Sequence, residues 1–157
     1  MARMNLVLLA LALFAAVATA TNTKHCSNGK IQDPNMVQIG DCKAPPCKLK
    51  KNTDVTIQYK FTPKEKVESL KVAVKASMMF GIKVPFVGVD GSQICDKIYR
   101  ADNGQKVACP LAKDVEYIYK DSFPIKSYYP SLSTTVYWTL KNSYKTVSCF
   151  QVAANIA

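Results

Sequence analysis

A regular alternation of apolar and polar side chains is the feature that most constrains the fold of this chain. Between Val55 and Phe61 every odd-numbered residue is apolar and every even-numbered residue is polar. A period of two residues is typical of a β-strand that buries one face. The same pattern recurs at 70–76, 115–120 and 134–141, with shorter candidates at 36–39 and 147–152. We therefore predict an all-β fold, because no segment shows a sustained stripe of helical period.

Turn-forming residues separate these predicted strands. Asp33-Pro34-Asn35, Asp90-Gly91 and Asp102-Asn103-Gly104 are examples in which proline, asparagine and glycine favour tight reversals. Roughly six to eight short strands joined by such turns suggest two antiparallel sheets packed face to face. The sequence contains no internal repeat, linker or low-complexity tract. It therefore predicts a single domain.

The first twenty residues have the features of a secretory signal peptide. Arg3 supplies a positive charge, Leu6–Val17 is almost entirely apolar, and Ala18-Thr19-Ala20 offers small residues for cleavage. The apolar stretch is shorter than the ~20 residues of a membrane-spanning helix. We expect residues 1–20 to be removed on export, which leaves a soluble, secreted domain of residues 21–157.

Six cysteines lie in this expected mature part of the chain. An even number of cysteines in an exported protein predicts a disulfide framework, and six cysteines allow fifteen pairings that spacing alone does not distinguish. A metal site is not expected, because no C-x-x-C pair is present and His25 is the only histidine. The six are Cys26, Cys42, Cys47, Cys95, Cys109 and Cys149.

The chain is strongly basic, with a formal net charge of +10. Lysine supplies all of the basic residues except Arg3 and Arg100. Nucleic-acid binders use arginine for bidentate contacts to bases and phosphates, so this composition disfavours nucleic acid as a partner. The lysines are expected to keep an apolar protein soluble, with attraction to anionic lipid surfaces as the alternative.

Catalytic and cofactor chemistry find little support in the sequence. A hydrolytic triad needs a base beside its nucleophile, and His25 directly precedes a cysteine expected to be bridged. The acidic residues are spread singly through turns and polar strand faces, and no phosphate loop, dinucleotide motif or zinc-protease motif occurs. We therefore expect a protein that is not an enzyme and that needs no cofactor.

Two segments do not suit an ordinary sandwich core. Residues 81–89 are largely apolar but contain Pro85 and two glycines, which places them at a sheet edge or a bulge. An apolar edge is an aggregation liability unless something covers or uses it. The second segment, residues 127–130, is a predicted loop that carries Tyr128 and Tyr129 where polar residues would be expected.

Taken together, several segments of the sequence resemble the ML lipid-recognition family, and within it the Niemann-Pick type C2 carriers and mite group-2 allergens. The resemblance spans residues 26–156 and depends on the order and spacing of several segments. It implies an immunoglobulin-like sandwich with an internal apolar cavity. It also implies three disulfide bridges, which are Cys26–Cys149, Cys42–Cys47 and Cys95–Cys109. The matching segments are Cys42–Leu49, Gly81–Phe86, Cys109-Pro110-Leu111, Phe123–Pro130, Val136–Leu140 and Cys149.

The same resemblance assigns ten residues to lipid binding. Phe86, Val84, Ile125, Tyr129 and Pro130 correspond to positions around the opening, so residues 81–89 and 127–130 would form its two lips. Deeper wall positions correspond to Ile39, Leu49, Val55, Ile57 and Trp138. Phe86 and Tyr129 could equally be packing residues, and any sandwich needs residues such as the deeper five in its core.

The resemblance implies a non-enzymatic carrier of one small sterol or fatty-acid-like lipid. This sequence differs from vertebrate members of the family in its long Cys95–Cys109 loop, in having Tyr128 and in lacking a glycosylation sequon. These differences favour the arthropod branch of the family. The expected partners are the lipid and either a membrane sterol-transfer protein or an anionic membrane surface. The protein is expected to be a monomer, located in extracellular fluid or in the endosomal or lysosomal lumen. The alternatives are a lipid-sensing immune protein, a carrier of semiochemical lipids, an adhesion sandwich without a ligand, and a hydrolase.

Overall fold

The structure is a computed structural model that describes residues 20–157. The predicted signal peptide therefore lies, except for Ala20, outside the described residues. Eleven strands and one short 3₁₀ turn, Met79–Gly81, form the regular structure of this part of the chain, which confirms the all-β prediction. The strands are β1 (Lys24–His25), β2 (Val37–Ile39), β3 (Cys47–Leu49), β4 (Thr53–Phe61), β5 (Lys71–Ser77), β6 (Lys83–Pro85), β7 (Ile98–Arg100), β8 (Lys106–Val107), β9 (Tyr117–Ile125), β10 (Leu132–Asn142) and β11 (Lys145–Ile156).

The strands form two sheets. The first sheet has the order β1-β11-β10-β5-β6, and β3 also pairs with β11. The second sheet has the order β2-β4-β9-β7-β8. Every named strand pair is antiparallel except β3 with β11, where Ala154 pairs with Cys47 and Ile156 with Leu49 in a parallel arrangement. The fold is thus the expected two-sheet sandwich, with one short parallel pairing at its edge.

The core lies between the facing sides of the two sheets. On β4 the alternation read from the sequence buries Ile57, Tyr59 and Phe61, while Thr56, Gln58 and Lys60 point away. Leu70 and Leu140 are also fully buried. Burial of each such side chain contributes about 1.5–3 kcal/mol to stability, so this strand pattern supplies a large share of the folding free energy.

Three disulfides join the cysteines as the resemblance implied. The Cα atoms of Cys26 and Cys149 are 5.7 Å apart, and those of Cys42 and Cys47 are 5.4 Å apart. The third bridge joins Cys95 to Cys109, with 5.3 Å between the Cα atoms. The first bridge ties the N-terminal residues to β11 across a sequence separation of 123, so it links the beginning and the end of the domain.

The apolar segment that contains Pro85 lies at a sheet edge, as its composition predicted. β6 ends the first sheet and pairs only with β5. After Pro85 the chain leaves the edge, and the Phe86 amide donates to the carbonyl of Val74 at 2.8 Å. The Val74 amide in turn donates to the carboxylate of Asp90 at 2.7 Å. These two hydrogen bonds hold residues 86–90 against β5.

Candidate functional site

A small apolar cavity lies between the two sheets. Its volume is about 20 Å³, roughly the space that one water molecule needs. Residues from both sheets and from the loop after β6 contribute to its wall. They are Ile39, Cys47, Leu49, Ile57, Val74, Phe86, Phe123, Val136, Trp138, Phe150, Val152 and Ala154.

Strand register explains why these residues share one cavity. Directly paired residues in an antiparallel ladder project on the same face of the sheet. Trp138 on β10 pairs with Val74 on β5 and with Phe150 on β11, so three lining side chains form one row across the first sheet. Ile39 and Ile57 are a corresponding pair on the second sheet. The cavity is therefore the space between matching rows of the two buried faces.

A row of aromatic rings leads from the surface into this cavity. The ring centroids of Tyr129 and Phe86 are 4.9 Å apart, and those of Phe86 and Phe123 are 6.3 Å apart. Phe123 then lies 5.2 Å from Trp138, which stacks on Phe150 at 6.4 Å. The edge-to-face contacts near the surface are a favourable aromatic geometry. The row connects the two predicted lips to the centre of the sandwich.

The two lips contact each other. The hydroxyl of Tyr129, in the loop between β9 and β10, donates a hydrogen bond to the backbone carbonyl of Val87. Tyr129 is buried, and its ring packs against Phe86 in the opposite lip. Burial, assisted by the neighbouring Tyr128, raises the pKa of Tyr129, so its phenol keeps the proton that it donates. This contact joins the two lips.

Five of the ten predicted lipid-binding residues line the cavity: Ile39, Leu49, Ile57, Phe86 and Trp138. The structure places the other five elsewhere. Val84 lies on the edge strand β6 and is 36% exposed, and Val55 is half-buried against a surface groove beside the Cys42–Cys47 loop. Ile125 is fully buried at the end of β9 outside the wall, Tyr129 covers Phe86, and Pro130 is exposed.

The remaining lining residues were not among the ten predicted lipid-binding residues. The alternation at 70–76 and 134–141 places Val74 and Val136 on the apolar faces of two strands, so the sequence carries a signal for these two residues. Alternation could not distinguish residues that surround a cavity from residues that fill a core. The additional lining residues are Cys47, Val74, Phe123, Val136, Phe150, Val152 and Ala154.

Exposed apolar side chains lie on the two lips and in the turn just before the first lip, and together they are called the rim. Phe80 is 97% exposed at the turn between β5 and β6, and its φ of 61° lies in the left-handed region that non-glycine residues rarely adopt. Large exposed apolar groups gathered in one place mark a contact surface for a partner or a membrane. The rim, as the term is used below, comprises Met79, Phe80, Ile82, Val87 and Tyr128.

Polar clusters elsewhere have structural roles. The Tyr119 hydroxyl donates to Asp121 at 2.7 Å, and the Lys97 ammonium reaches the same carboxylate at 2.8 Å. His25 lies at the surface, with its Nδ1 3.0 Å from the side-chain amide of Gln32. Within residues 20–157 no group of three histidine, cysteine or acidic side chains could hold a metal ion. No helix in this range is long and apolar enough to cross a membrane.

A family profile and several known proteins match this sequence. The sequence profile described as the ML domain matches residues 20–156. The bovine NPC intracellular cholesterol transporter 2 is 30% identical over 157 residues, covering 98% of this chain and 97% of the relative. Its fruit-fly homolog a is 32% identical over 111 residues, covering 70% of this chain and 69% of the relative.

A solved structure extends the likeness to the fold. The Niemann-Pick type C2 protein from the Japanese carpenter ant superposes with a TM-score of 0.64 at 25% identity, covering 88% of this chain and 95% of the ant protein. Profile, relatives and fold agree over nearly all of the described residues. The chain therefore belongs to the ML domain family.

Proposed function

We propose that this protein is a secreted, non-enzymatic carrier that binds one sterol or fatty-acid-like lipid between its two sheets and releases it unchanged. The observation that carries the proposal is a wholly apolar wall, to which both sheets contribute, joined to the surface by a row of aromatic rings. The names of the relatives support it, because the bovine and fruit-fly proteins are named as cholesterol transporters.

Binding requires the cavity to enlarge. Ligand pockets in proteins have volumes of roughly 300–1,000 Å³, whereas this cavity measures about 20 Å³. The side chains that fill the difference are apolar and lie on facing sheets, so the sheets can separate without breaking a polar contact in the wall. Each square ångström of lipid surface that enters gains about 25 cal/mol, which offsets the packing lost on opening.

Entry would take place between the lips. The Tyr129 side chain holds them together through one hydrogen bond and one aromatic contact. A hydrogen bond between uncharged groups makes a net contribution of about 0.5–1.5 kcal/mol, so the contact between the lips is easily broken. Because Phe86 lines the cavity and also contacts Tyr129, movement of this pair opens a direct path to the wall.

Exchange of lipid would take place at a membrane surface. The rim presents exposed aromatic and aliphatic groups beside the lips, and Lys83 lies in the same segment with its ammonium 3.8 Å from the centre of the Tyr137 ring. Apolar insertion together with lysine attraction to anionic headgroups is a general mode of interfacial binding. Phe80→Ser, compared with Tyr144→Ser at an exposed site far along the chain, should slow transfer to vesicles that contain phosphatidylserine.

The test of the carrier proposal is direct detection of bound lipid. Protein purified from its source should show, by native mass spectrometry, a mass increment of one small lipid that disappears after organic extraction. The extracted protein should then bind a fluorescent sterol or fatty acid with one-to-one stoichiometry. Delipidated protein that binds neither probe, and native protein that carries no lipid, would identify the chain as a sandwich without a ligand.

A further inference from the structure

The first sheet has an unusual distribution of charge. Its strands contain lysines but no aspartate or glutamate, whereas the strands of the second sheet include Asp54 and Asp121. The lysines of β5 and β10 lie on the outer face of the first sheet, because the residues next to them in the chain are buried on the inner face. An exposed face of one charge sign attracts a ligand of the opposite sign. The lysines in the strands of the first sheet are Lys24, Lys48, Lys71, Lys75, Lys83, Lys141 and Lys145.

Two of these lysines lie directly opposite each other. Lys71 on β5 pairs with Lys141 on β10, and like charges at directly opposed positions destabilise a sheet. Neither ammonium forms an ion pair with an acidic side chain of residues 20–157. The repulsion between the two lysines is therefore not compensated within this part of the chain, which favours an anion from outside as their common partner.

A second basic pair lies further along the same face. Lys75 pairs directly with Tyr137, and the ammonium of Lys83 lies 3.8 Å from the centre of the same ring. Four residues along β5, or about 13 Å, separate Lys75 from the first pair. Ala73 and Thr139 pair with each other between the two basic pairs, so small side chains form the floor there. The lysine platform, as the term is used below, comprises Lys71, Lys75, Lys83 and Lys141.

From this arrangement we infer that the lysine platform binds a sulfated polysaccharide. A linear polyanion carries negative groups repeatedly along its length, which suits two basic pairs about 13 Å apart. Its sugar rings suit the floor between the pairs, where Ala73 offers a methyl group and Thr139 a hydroxyl. This site lies on the outside of the first sheet, so the inference goes beyond the proposed lipid site between the sheets and is independent of it.

A membrane surface suits the lysine platform less well than a polysaccharide does. The rim begins just after Ser77 at the end of β5, whereas Lys71 and Lys141 lie at the other end of this strand, six residues or about 20 Å away. Attraction to a charged surface falls off within a Debye length of about 8 Å at physiological ionic strength. A membrane that the rim enters at its own end of the sandwich would therefore be too distant to attract these two lysines.

An acidic protein also suits the lysine platform less well. Protein interfaces are depleted in lysine and alanine relative to the rest of the surface. Their affinity depends on a few aromatic or arginine anchors that become fully buried. The platform has lysines at its two ends and small side chains between them, which is the opposite composition.

Binding of the secreted protein to immobilised heparin tests the inference. The wild-type protein should be retained at physiological ionic strength, about 0.15 M. Lys71→Gln combined with Lys141→Gln should lower the affinity about tenfold. This double variant should not melt below wild type, because the substitutions remove a like-charge pair. Lys106→Gln combined with Lys120→Gln is the control, since it removes the same charge from exposed positions on the second sheet, and it should leave the affinity nearly unchanged.

Competing polyanions and a vesicle assay distinguish the possible partners. Heparin should displace the protein from the column at much lower concentrations than chemically desulfated heparin or polyglutamate. Lipid transfer to vesicles that contain phosphatidylserine should be the same in wild type and in the Lys71–Lys141 double variant. If polyglutamate or desulfated heparin competes as well as heparin, the inference of a sulfated polysaccharide is wrong.

Three further outcomes would also overturn the inference. The wild-type protein may pass through the heparin column unretained. The two double variants may lose affinity equally, which would show that only net charge matters. The Lys71–Lys141 double variant may lose vesicle transfer and keep its affinity for heparin, which would identify the platform as a membrane-binding surface. Each of these results leaves binding of lipid between the sheets unaffected, so failure of this inference is distinguishable from failure of the proposed function.

Discussion

At the scale of single residues, the hydroxyl of Tyr129 is the polar group that joins the two lips. It donates to the carbonyl of Val87 in the opposite lip, while the ring contacts Phe86. The hydrogen bond and the ring contact belong to the same side chain but are chemically separable. A substitution that removes the oxygen and keeps the ring therefore isolates the contribution of the hydrogen bond.

Tyr129→Phe should accelerate both uptake and release of lipid. Loss of one neutral hydrogen bond removes about 0.5–1.5 kcal/mol from the closed state, which corresponds to an increase of up to about tenfold in the open population. Stopped-flow fluorescence with a labelled sterol measures both rates. Tyr128→Phe, which removes a hydroxyl from the exposed neighbouring ring, is the matched control. Unchanged rates in Tyr129→Phe would mean that lipid does not pass between these lips.

Ile57→Phe tests whether the wall is a binding surface. Ile57 is fully buried and lines the cavity, so the larger ring occupies space that a lipid needs. Overpacking costs about 1–3 kcal/mol of unfolding free energy, and affinity for a sterol or fatty acid should fall strongly. Ile98→Phe is the control, because Ile98 is equally buried but does not line the cavity. It should lower the melting temperature and leave affinity intact, and equal affinities in the two variants would refute the assignment.

At the scale of structural elements, the disulfides differ in their relation to the cavity. Cys47 contributes to the wall, and its strand β3 makes the parallel pairing with β11. The Cys95–Cys109 bridge closes a segment that contains β7 and β8 and supplies no lining residue. Both bridges stabilise the fold by restricting the unfolded chain, but of these two only the Cys42–Cys47 bridge also positions part of the cavity wall.

Removal of each bridge should therefore have separable effects. Replacement of both Cys95 and Cys109 by serine should cost about 2–4 kcal/mol of unfolding free energy and leave the affinity for lipid unchanged. Replacement of both Cys42 and Cys47 by serine should also reduce affinity, because β3 loses its anchor beside the cavity. Chemical denaturation and lipid titration of the two double variants measure the two effects. Equal loss of affinity in both would show that binding depends on global stability alone.

Much of the fold could be predicted from the sequence, because a strand with one buried face alternates apolar and polar residues along the chain. β4 is the clearest case, since its alternation correctly identifies Ile57, Tyr59 and Phe61 as buried. The parallel pairing of β3 had no such trace, because three residues are too few to show an alternation. The pairing of the cysteines came from the family resemblance, as spacing alone left fifteen possibilities.

The site was less predictable for a physical reason seen at the lips. A period of two would place Val84 and Phe86 on the same inward face, but β6 ends at Pro85 and the chain then turns toward β5. Phe86 consequently enters the wall while Val84 stays on an exposed edge. Residue order alone does not reveal where a strand ends at a proline, nor which buried residues border empty space.

At the scale of the whole molecule, two buried tyrosines make the free energy of unfolding depend on pH in the alkaline range. Burial raises the pKa of Tyr59 to about 12, against the lowering effect of its hydrogen bond with Ser148. Burial and the neighbouring Asp121 carboxylate raise the pKa of Tyr119 as well. In the unfolded chain a tyrosine ionises near pH ~10. The unfolded state therefore loses these protons first as the pH rises.

The sign of the resulting effect follows from proton linkage. The contribution of Tyr59 to stability is fully present below pH ~10 and is lost as the pH rises toward ~12. Its magnitude is about 2–3 kcal/mol. Urea denaturation at a series of alkaline pH values should show this decline, and Tyr59→Phe should make it shallower. Tyr144→Phe, at an almost fully exposed position, should not alter the slope. An identical slope in wild type and Tyr59→Phe would contradict the assignment.

The small volume of the cavity has a consequence for delivery under the proposed carrier function. A carrier with a permanently open interior would have to take up water or a second lipid whenever it released its cargo. In this protein the apolar walls of the two sheets surround only about 20 Å³, so in the proposed mechanism the interior would close behind a departing molecule. Release of the lipid would then need no second molecule in exchange, and the closed protein would leave the acceptor membrane without a bound lipid. The cost of reopening also weakens the retention of cargo, which favours a protein that unloads completely over one that stores lipid.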